Sequence, residues 1–351
     1  MGSLTQRLGV KTAWISDLHL GSPHTRDVDM LNTFLRLVSP KQLYLLGDSI
    51  DGYDLAKAPC WTHGFEEALQ RLYWLPTVGT EVTKIPGNHD GPLRQLLRAA
   101  GIGPYDRENH LLLRPRKAPE LNGSGVGIKL MQSAVFTNKE GSHLFLHGDE
   151  NEHLDPAKHK LVELYDAAYY RLAHLTPAFN RLRGAMNKPY LPLTQGFQDI
   201  VCKRVTNFVR EFEEAQVVSA MNANMQGVFC GHIHYPANKV IEGIHYRNPG
   251  SMQVDQTLMI ENARGEIKQV NWGTVCLKLR KAQKQGRGIE NVLDELADKI
   301  GAERLTATPL FSYRNPGVDE ISGQLRSTQA GLIATATFGP NYRQMPVQPA
   351  L

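Results

Sequence analysis

The chain has 351 residues, a formal net charge of +4, and 41% hydrophobic and 21% charged residues, which argues against global disorder, a collagen-like repeat and a coiled coil. No window approaches eighteen uncharged apolar residues and 1–11 lacks the apolar core of a secretory signal, so neither a transmembrane helix nor a leader is expected. Cys60, Cys202, Cys230 and Cys276 are scattered without a CxxC pair, which indicates neither a disulfide framework nor a zinc knuckle and points to a reducing cytoplasm.

In chain order, short β-rich runs at 12–16, 43–46, 82–85 and 144–146 alternate with helical spacing of apolar residues at 29–38 and 64–75. This is the βαβ rhythm of an α/β fold with a layered sheet. From 152 to 226 the pattern turns helical. Leu161, Leu164, Ala168, Leu172 and Leu175 form one stripe and Val201, Val205, Phe208, Phe212 and Ala215 another, both assigned to packing. Pro177, Pro189 and Pro192 are expected to break this segment into separate helices. It reads as a helical insertion that caps the edge of the sheet. A strand at 228–230 and a hairpin around Asn262–Gly265 follow. The expected division is a main domain over 1–273, including the insertion 152–226, and an extension over 274–351. In the extension Val292, Leu293, Leu296 and Ile300 mark a helix, and 306 onward reads as loop or disorder.

Five polar clusters each follow a predicted strand: Asp17-Leu18-His19, Gly47-Asp48-Ser49-Ile50-Asp51, Gly87-Asn88-His89-Asp90, His147-Gly148-Asp149 and Gly231-His232-Ile233-His234. Ligands of open α/β sheets gather beyond the carboxyl ends of strands, so these loops can converge. Their carboxylates (Asp17, Asp48), amide oxygen (Asn88) and imidazoles (His19, His147, His232, His234) form a mixed oxygen and nitrogen donor set without thiolate. Such a set suits Mn²⁺, Fe or Zn²⁺. Seven donors exceed what one ion needs and fit two divalent ions bridged by a carboxylate.

The ordered set D-x-H, GDxxD, GNHD, H, GHxH resembles that of the calcineurin-like metallophosphoesterases over roughly residues 12–273. The resemblance implies an α/β/β/α sandwich of four layers, with Asp17, His19, Asp48 and His234 around one metal and Asp48, Asn88, His147 and His232 around the other, and it makes Mn²⁺ the expected metal. Ser16–Gly21, Gly47–Gly52, His147-Gly148-Asp149-Glu150 and the long helical insertion before the GHIH motif are similar to the bacterial UDP-2,3-diacylglucosamine pyrophosphatase-like group. In that group the insertion forms a lid that helps hold a lipid-bearing substrate. The lipid A enzymes of that group carry Arg where this chain has His89; the broader phosphoesterases carry His.

The expected activity is metal-dependent hydrolysis of a phosphoester or pyrophosphate bond, in which water made acidic by the ions attacks phosphorus in line. The substrate is expected to be UDP-diacylglucosamine-like or a related nucleotide diphosphate. The alternatives are a phosphodiesterase or nucleotidase for soluble nucleotides, or a non-catalytic scaffold. His89 is the catalytic candidate, as a non-ligand imidazole facing the phosphate. Asp90 either orients that ring or caps the following helix. Asp51 and Asp149 are either partners of ligating histidines or loop caps.

Of the remaining histidines, only His24 stands close enough to a motif to approach a substrate. Between 171 and 210 seven basic residues face one acid. Among them Arg181, Arg183, Lys188 and Arg204 are candidate contacts for a diphosphate or an anionic membrane surface, or else form a solvated face. No long basic stripe with interleaved aromatics is present, so no specific nucleic-acid binding is expected.

Overall fold

A computed structural model describes residues 6–25, 27–57, 60–104, 106–115, 126–151, 159–199, 208–306 and 332–337. The first half runs β1 (Gln6–Ile15), α1 (Val28–Leu37), β2 (Val38–Leu46), α2 (Gly52–Lys57), α3 (His63–Trp74), β3 (Glu81–Ile85) and α4 (Gly91–Ala99). Strands β4 (His110–Pro115), β5 (Ile128–Leu130), β6 (Ala134–Asn138) and β7 (Gly141–Phe145) follow. Helices α5 (His159–Ala185), α6 (Leu193–Gln198) and α7 (Phe208–Asn222) then precede β8 (Gly227–Phe229), β9 (Ala237–Ile241), β10 (Ile244–Asn248), β11 (Thr257–Glu261) and β12 (Ile267–Asn271). The chain continues through α8 (Trp272–Lys284), α9 (Glu290–Ile300), β13 (Glu303–Thr306) and β14 (Leu332–Thr337).

Two sheets result. One has the order β12-β11-β1-β2-β3-β5-β4-β14, with β13 also paired to β1; the other is β6-β7-β8-β10-β9. Strand alternation explains the layers. In β1 and β2, Ala13, Ile15, Leu43 and Leu45 turn to an outer core shared with α1, α3, α4, α8 and α9, while Trp14, Tyr44 and Leu46 turn inward. There they meet Phe136, Phe145 and Phe229 of the second sheet. The Trp14 ring stacks on Phe229 at 4.6 Å and meets Phe136 edge-on at 5.2 Å, geometries that add to simple burial. On the far face of the second sheet Leu144 and Val228 pack with Val209, Phe212 and Val217 of α7. The order is helix, sheet, sheet, helix, a four-layer α/β/β/α sandwich.

The structure adds detail that the sequence pattern does not carry. Helix α5 runs straight through Pro177: the Thr176 hydroxyl donates to Leu172 O (2.9 Å) and the Asn180 amide to Thr176 O (3.0 Å), tying the turns on either side of the missing N–H. Among its described side chains the buried ones are Tyr169, Ala173, Thr176 and Asn180, and Leu175 is 58% exposed; the side chains of Leu161 and Leu164 lie outside the described residues. Finally, the boundary after 273 falls inside α8. The Trp272 indole is buried and donates to Met30 O (2.9 Å), and Leu293, Leu296, Ala297 and Ile300 of α9 join the same core as β1. Strand β13 pairs with β1, and β14, in a stretch read as loop, pairs with β4. These pairings span hundreds of residues, so no local pattern announces them. The rest of 274–351 and the part of the second apolar stripe before Phe208 lie outside the described residues.

Candidate metal centre

The site lies at the carboxyl ends of β1, β2 and β3 in one sheet and of β7 and β8 in the other. Pairing is parallel within each group, so all five motif loops leave the same edge. The first two are laced together by His19 N to Asp48 O (2.8 Å), Leu20 N to Ser49 O (3.0 Å) and Asp51 N to Leu20 O (2.9 Å). The third is drawn in by His89 N donating to Asp48 Oδ1 (2.9 Å), and the last two by Gly231 N donating to His147 O (2.8 Å).

Among the described residues nine non-glycines have positive φ, and five of them are Asp17 (52°), His19 (43°), Asp48 (44°), His232 (71°) and His234 (49°). Each such conformation costs on the order of 1–3 kcal/mol and persists only where the surroundings over-determine it. Two glycines show how tight those surroundings are. A Cβ on Gly47 would lie 1.8 Å from His147 Nδ1, and one on Gly87 would lie 2.1 Å from Asp48 Oδ1. Any side chain at either position would displace a clustered donor.

The donors fall into overlapping groups, each with its atoms within 4.8 Å of one another: Asp17, His19 and His234; His19, Asp48 and His89; Asp48, His147 and His232. Asn88 joins the last, its Oδ1 3.2 Å from His147 Nε2. Asp48 belongs to two groups, with Oδ2 3.2 Å from His147 Nε2 and 3.9 Å from His19 Nε2. His234 Nε2 lies 3.1 Å from Asp17 Oδ1 and 3.3 Å from His19 Nε2. Asp17, His19, Asp48 and His147 are buried.

The electrostatics ask for positive charge. Burial by itself would raise the pKa of Asp48, but His147, His19 and His89 outweigh it and hold the carboxyl well below its ordinary value. Burial opposes charge on His147 and His234, yet Asp48 and Asp17 respectively draw them upward. A cluster of carboxylates and imidazole nitrogens with this need is a fitting donor set for divalent cations.

Asp51 holds His19 Nδ1 at 2.9 Å and His89 Nδ1 at 3.0 Å. Asp90 neither orients His89 nor caps α4. It is a buried anchor: Oδ2 accepts from Lys84 Nζ (2.7 Å), Gly87 N (3.1 Å) and Ser49 N (3.2 Å), and Oδ1 from Ile50 N (3.1 Å). It therefore ties the Asp48 loop to the Asn88 loop. Arg94 grips Asp149 with two bonds of 2.6 Å, and the carboxylate adds to the upward pull on the pKa of His147.

Arg183 donates to Pro189 O (3.0 Å) and lies over the Phe179 ring, while Arg181 and Lys188 are exposed. Arg181 stands twelve residues, about 18 Å of helix axis, beyond Tyr169, where α5 reaches His234. Arg204 lies outside the described residues.

Sequence reasoning missed Tyr169, whose hydroxyl is 2.9 Å from His234 Nδ1. It missed Ser251, whose hydroxyl donates to Asp17 O (3.2 Å). It also missed Asp255, fully buried beside His234 with its pKa pushed up to about 7 by burial. None of the three belongs to a motif that the sequence marks.

Among the described residues no helix is long and apolar enough to cross a membrane. No curated protein matches the chain. Among solved structures it is similar to vacuolar protein sorting 29 from Cryptosporidium parvum (11% identity, 76% of this chain and 97% of that one, TM-score 0.33). It is also similar to a novel archaeal phosphodiesterase (10%, 74% and 98%, 0.33) and to Yfce, a phosphoesterase from E. coli (14%, 74% and 98%, 0.30). The sequence model for calcineurin-like phosphoesterases matches residues 10–236, a span that takes in every clustered donor from Asp17 to His234. On that match the chain belongs to the calcineurin-like phosphoesterase family, which uses a dinuclear divalent metal centre.

Proposed function

We propose that the protein is a hydrolase of phosphoester or pyrophosphate bonds in which Asp17, His19, Asp48 and His234 hold one divalent ion and Asp48, Asn88, His147 and His232 the other. The observation that carries the reading is the membership of Asp48 in two donor groups at once. Among the described residues it is the one carboxylate that belongs to two such groups. The mixed oxygen and nitrogen donors suit Mn²⁺, Fe or Zn²⁺, and the family resemblance favours Mn²⁺ among them. Bound there, the pair supplies an acidified water and neutralises charge on the phosphoryl oxygens.

His89 acts on the substrate and not as a ligand. Burial works against a charge on its ring, but Asp51, 3.0 Å from Nδ1, and Asp48 outweigh it and raise its pKa. With Nδ1 held by Asp51, Nε2–H is left to donate to a phosphoryl oxygen or to the leaving group. The rings of Tyr53 and His89 meet edge-to-face at 4.9 Å, and Tyr53 is 54% exposed, an aromatic surface for the rest of the substrate.

The substrate we favour is a UDP-diacylglucosamine-like nucleotide diphosphate, with peripheral contact to an anionic membrane, supported by the motif variants and the long helical segment between β7 and β8. His89 in place of Arg favours a second reading, a phosphodiesterase or nucleotidase for soluble nucleotides. Mn²⁺-dependent cleavage of bis-p-nitrophenyl phosphate tests the chemistry. A panel of UDP-diacylglucosamine against nucleotide mono-, di- and cyclic phosphates tests the substrate, and turnover of only the soluble compounds overturns the lipid assignment.

A further inference from the structure

A histidine that binds a cation through Nε2 carries its ring proton on Nδ1, and the acceptor of that proton sets the ring's orientation and basicity. His147 Nδ1 has a backbone acceptor, Leu46 O at 2.9 Å, and His19 Nδ1 has Asp51 at 2.9 Å. His234 is served differently. Its Nδ1 lies 2.9 Å from the hydroxyl of Tyr169 on α5, 65 residues away in sequence.

Tyr169 is 5% exposed and packs with Ala173, Phe197 and Val254. Val254 belongs to the turn in which Ser251 holds Asp17 O. Five residues along α5, His174 Nε2 lies 2.8 Å from His24 Nδ1, in the loop where Thr25 donates to His19 O (2.8 Å). Helix α5 is thus stitched to both loops that present Asp17, His19 and His234. The contacts of α7 fall on the other group: Phe212 faces the His232 ring and Gln216 donates to Gly148 O (3.0 Å).

We propose that Tyr169 is a positioning residue for the cation held by Asp17, His19 and His234: its hydroxyl accepts the Nδ1–H of His234 and so couples the seating of α5 to the filling of that one position. The proposal rests on reading the clusters as a two-ion centre. Because coupling between two equilibria is reciprocal, the cation should steady α5 as much as α5 favours the cation.

The test titrates the metal-free full chain and its Tyr169→Phe variant with Mn²⁺, by calorimetry and by electron paramagnetic resonance, and follows hydrogen exchange in peptides from 169–185. The wild type is expected to bind two ions and to slow exchange along α5 on doing so. The variant keeps the ring and its packing; one ion should bind as before and the other about 10–100-fold more weakly, as the loss of an outer partner does elsewhere. The metal-induced slowing should disappear, with the melting temperature of the metal-free protein unchanged. Two unaltered affinities, or equal weakening of both, overturn the proposal, as does a lower metal-free melting temperature without a change in binding. A wild type that takes up fewer than two ions overturns the two-ion reading itself, and this inference with it.

Discussion

The donors around Asp17 and those around His147 are held by different means. Behind His19 and His234 stand side chains, Asp51 and Tyr169, each a single atom from substitution. Behind His147 stands a backbone carbonyl, Leu46 O, fixed by β2 itself, and the His232 ring faces Phe212. A carbonyl in a parallel sheet cannot be titrated or replaced without moving the strand. A carboxylate or a phenol on a neighbouring helix can. In the proposed two-ion centre the position at Asp17 is therefore the adjustable one and that at His147 the permanent one, with Asp48 common to both.

The largest expected effect erases that distinction. Asp48→Asn removes a donor from both groups, and since each ion is worth several kcal/mol to the reaction, bis-p-nitrophenyl phosphate turnover should fall by roughly 10⁴-fold. Metal analysis of the same protein should show both ions lost; a variant that retains one would make the sharing of Asp48 only apparent. Next comes His89→Asn, which should lower kcat by roughly 10²–10⁴-fold with metal content unchanged. Loss of metal in this variant would move His89 into the donor set.

Much of this site was legible because each donor directly follows a strand, and a strand's carboxyl end is both a sequence signal and a place in space. The βαβ rhythm placed β1, β2 and β3 for the same reason. What was not legible depends on partners far away in the chain. Tyr169 sits on a helix without a motif. Pro177 reads as a break until Thr176 and Asn180 are seen bonding across it. Asp90 follows His89 and precedes a helix, so its neighbours suggest ring or cap, yet its carboxylate turns to Lys84 and to the backbone of the Asp48 loop. Leu172 and Leu175 gave a plausible stripe, but Leu175 is exposed and α5 is seated through Tyr169 and Ala173 together with hydrogen bonds to His234 and His24, and the polar contacts leave no hydrophobic period.

Asp51→Asn sharpens the contrast between adjustable and permanent positions. Asp51 touches His19 and His89 together, so two readouts should move. Affinity for the ion at Asp17 should fall about 10–100-fold while that for the ion at His147 is unchanged. Because Asp51 helps raise the pKa of His89, its removal lowers that pKa. The protonated ring is then lost at lower pH, and the alkaline limb of kcat should shift toward acid. An unmoved limb would mean that His89 does not act as the donor. On the permanent side, Gln216→Ala deletes the bond to Gly148 O and should cost about 0.5–1.5 kcal/mol of stability, read as a lower melting temperature without selective loss of either ion.

The same contrast runs along α5. Its first described turns touch His234 and His24, whereas its last turns lie against α8, where Gly184 abuts Leu277. A charge at Arg181 sits about 18 Å along the axis from Tyr169, beyond the roughly 8 Å over which exposed charges act at physiological salt. Reversing both Arg181 and Arg183 to Glu should therefore change KM for a small soluble phosphodiester by less than about twofold. If KM for a soluble substrate rose tenfold, the substrate would have to extend along the helix, and the far end of α5 would belong to the binding surface after all. A change confined to a lipid-linked substrate would place the basic residues against its membrane or its acyl chains, and would leave the division between the two halves of α5 intact for the chemistry at phosphorus.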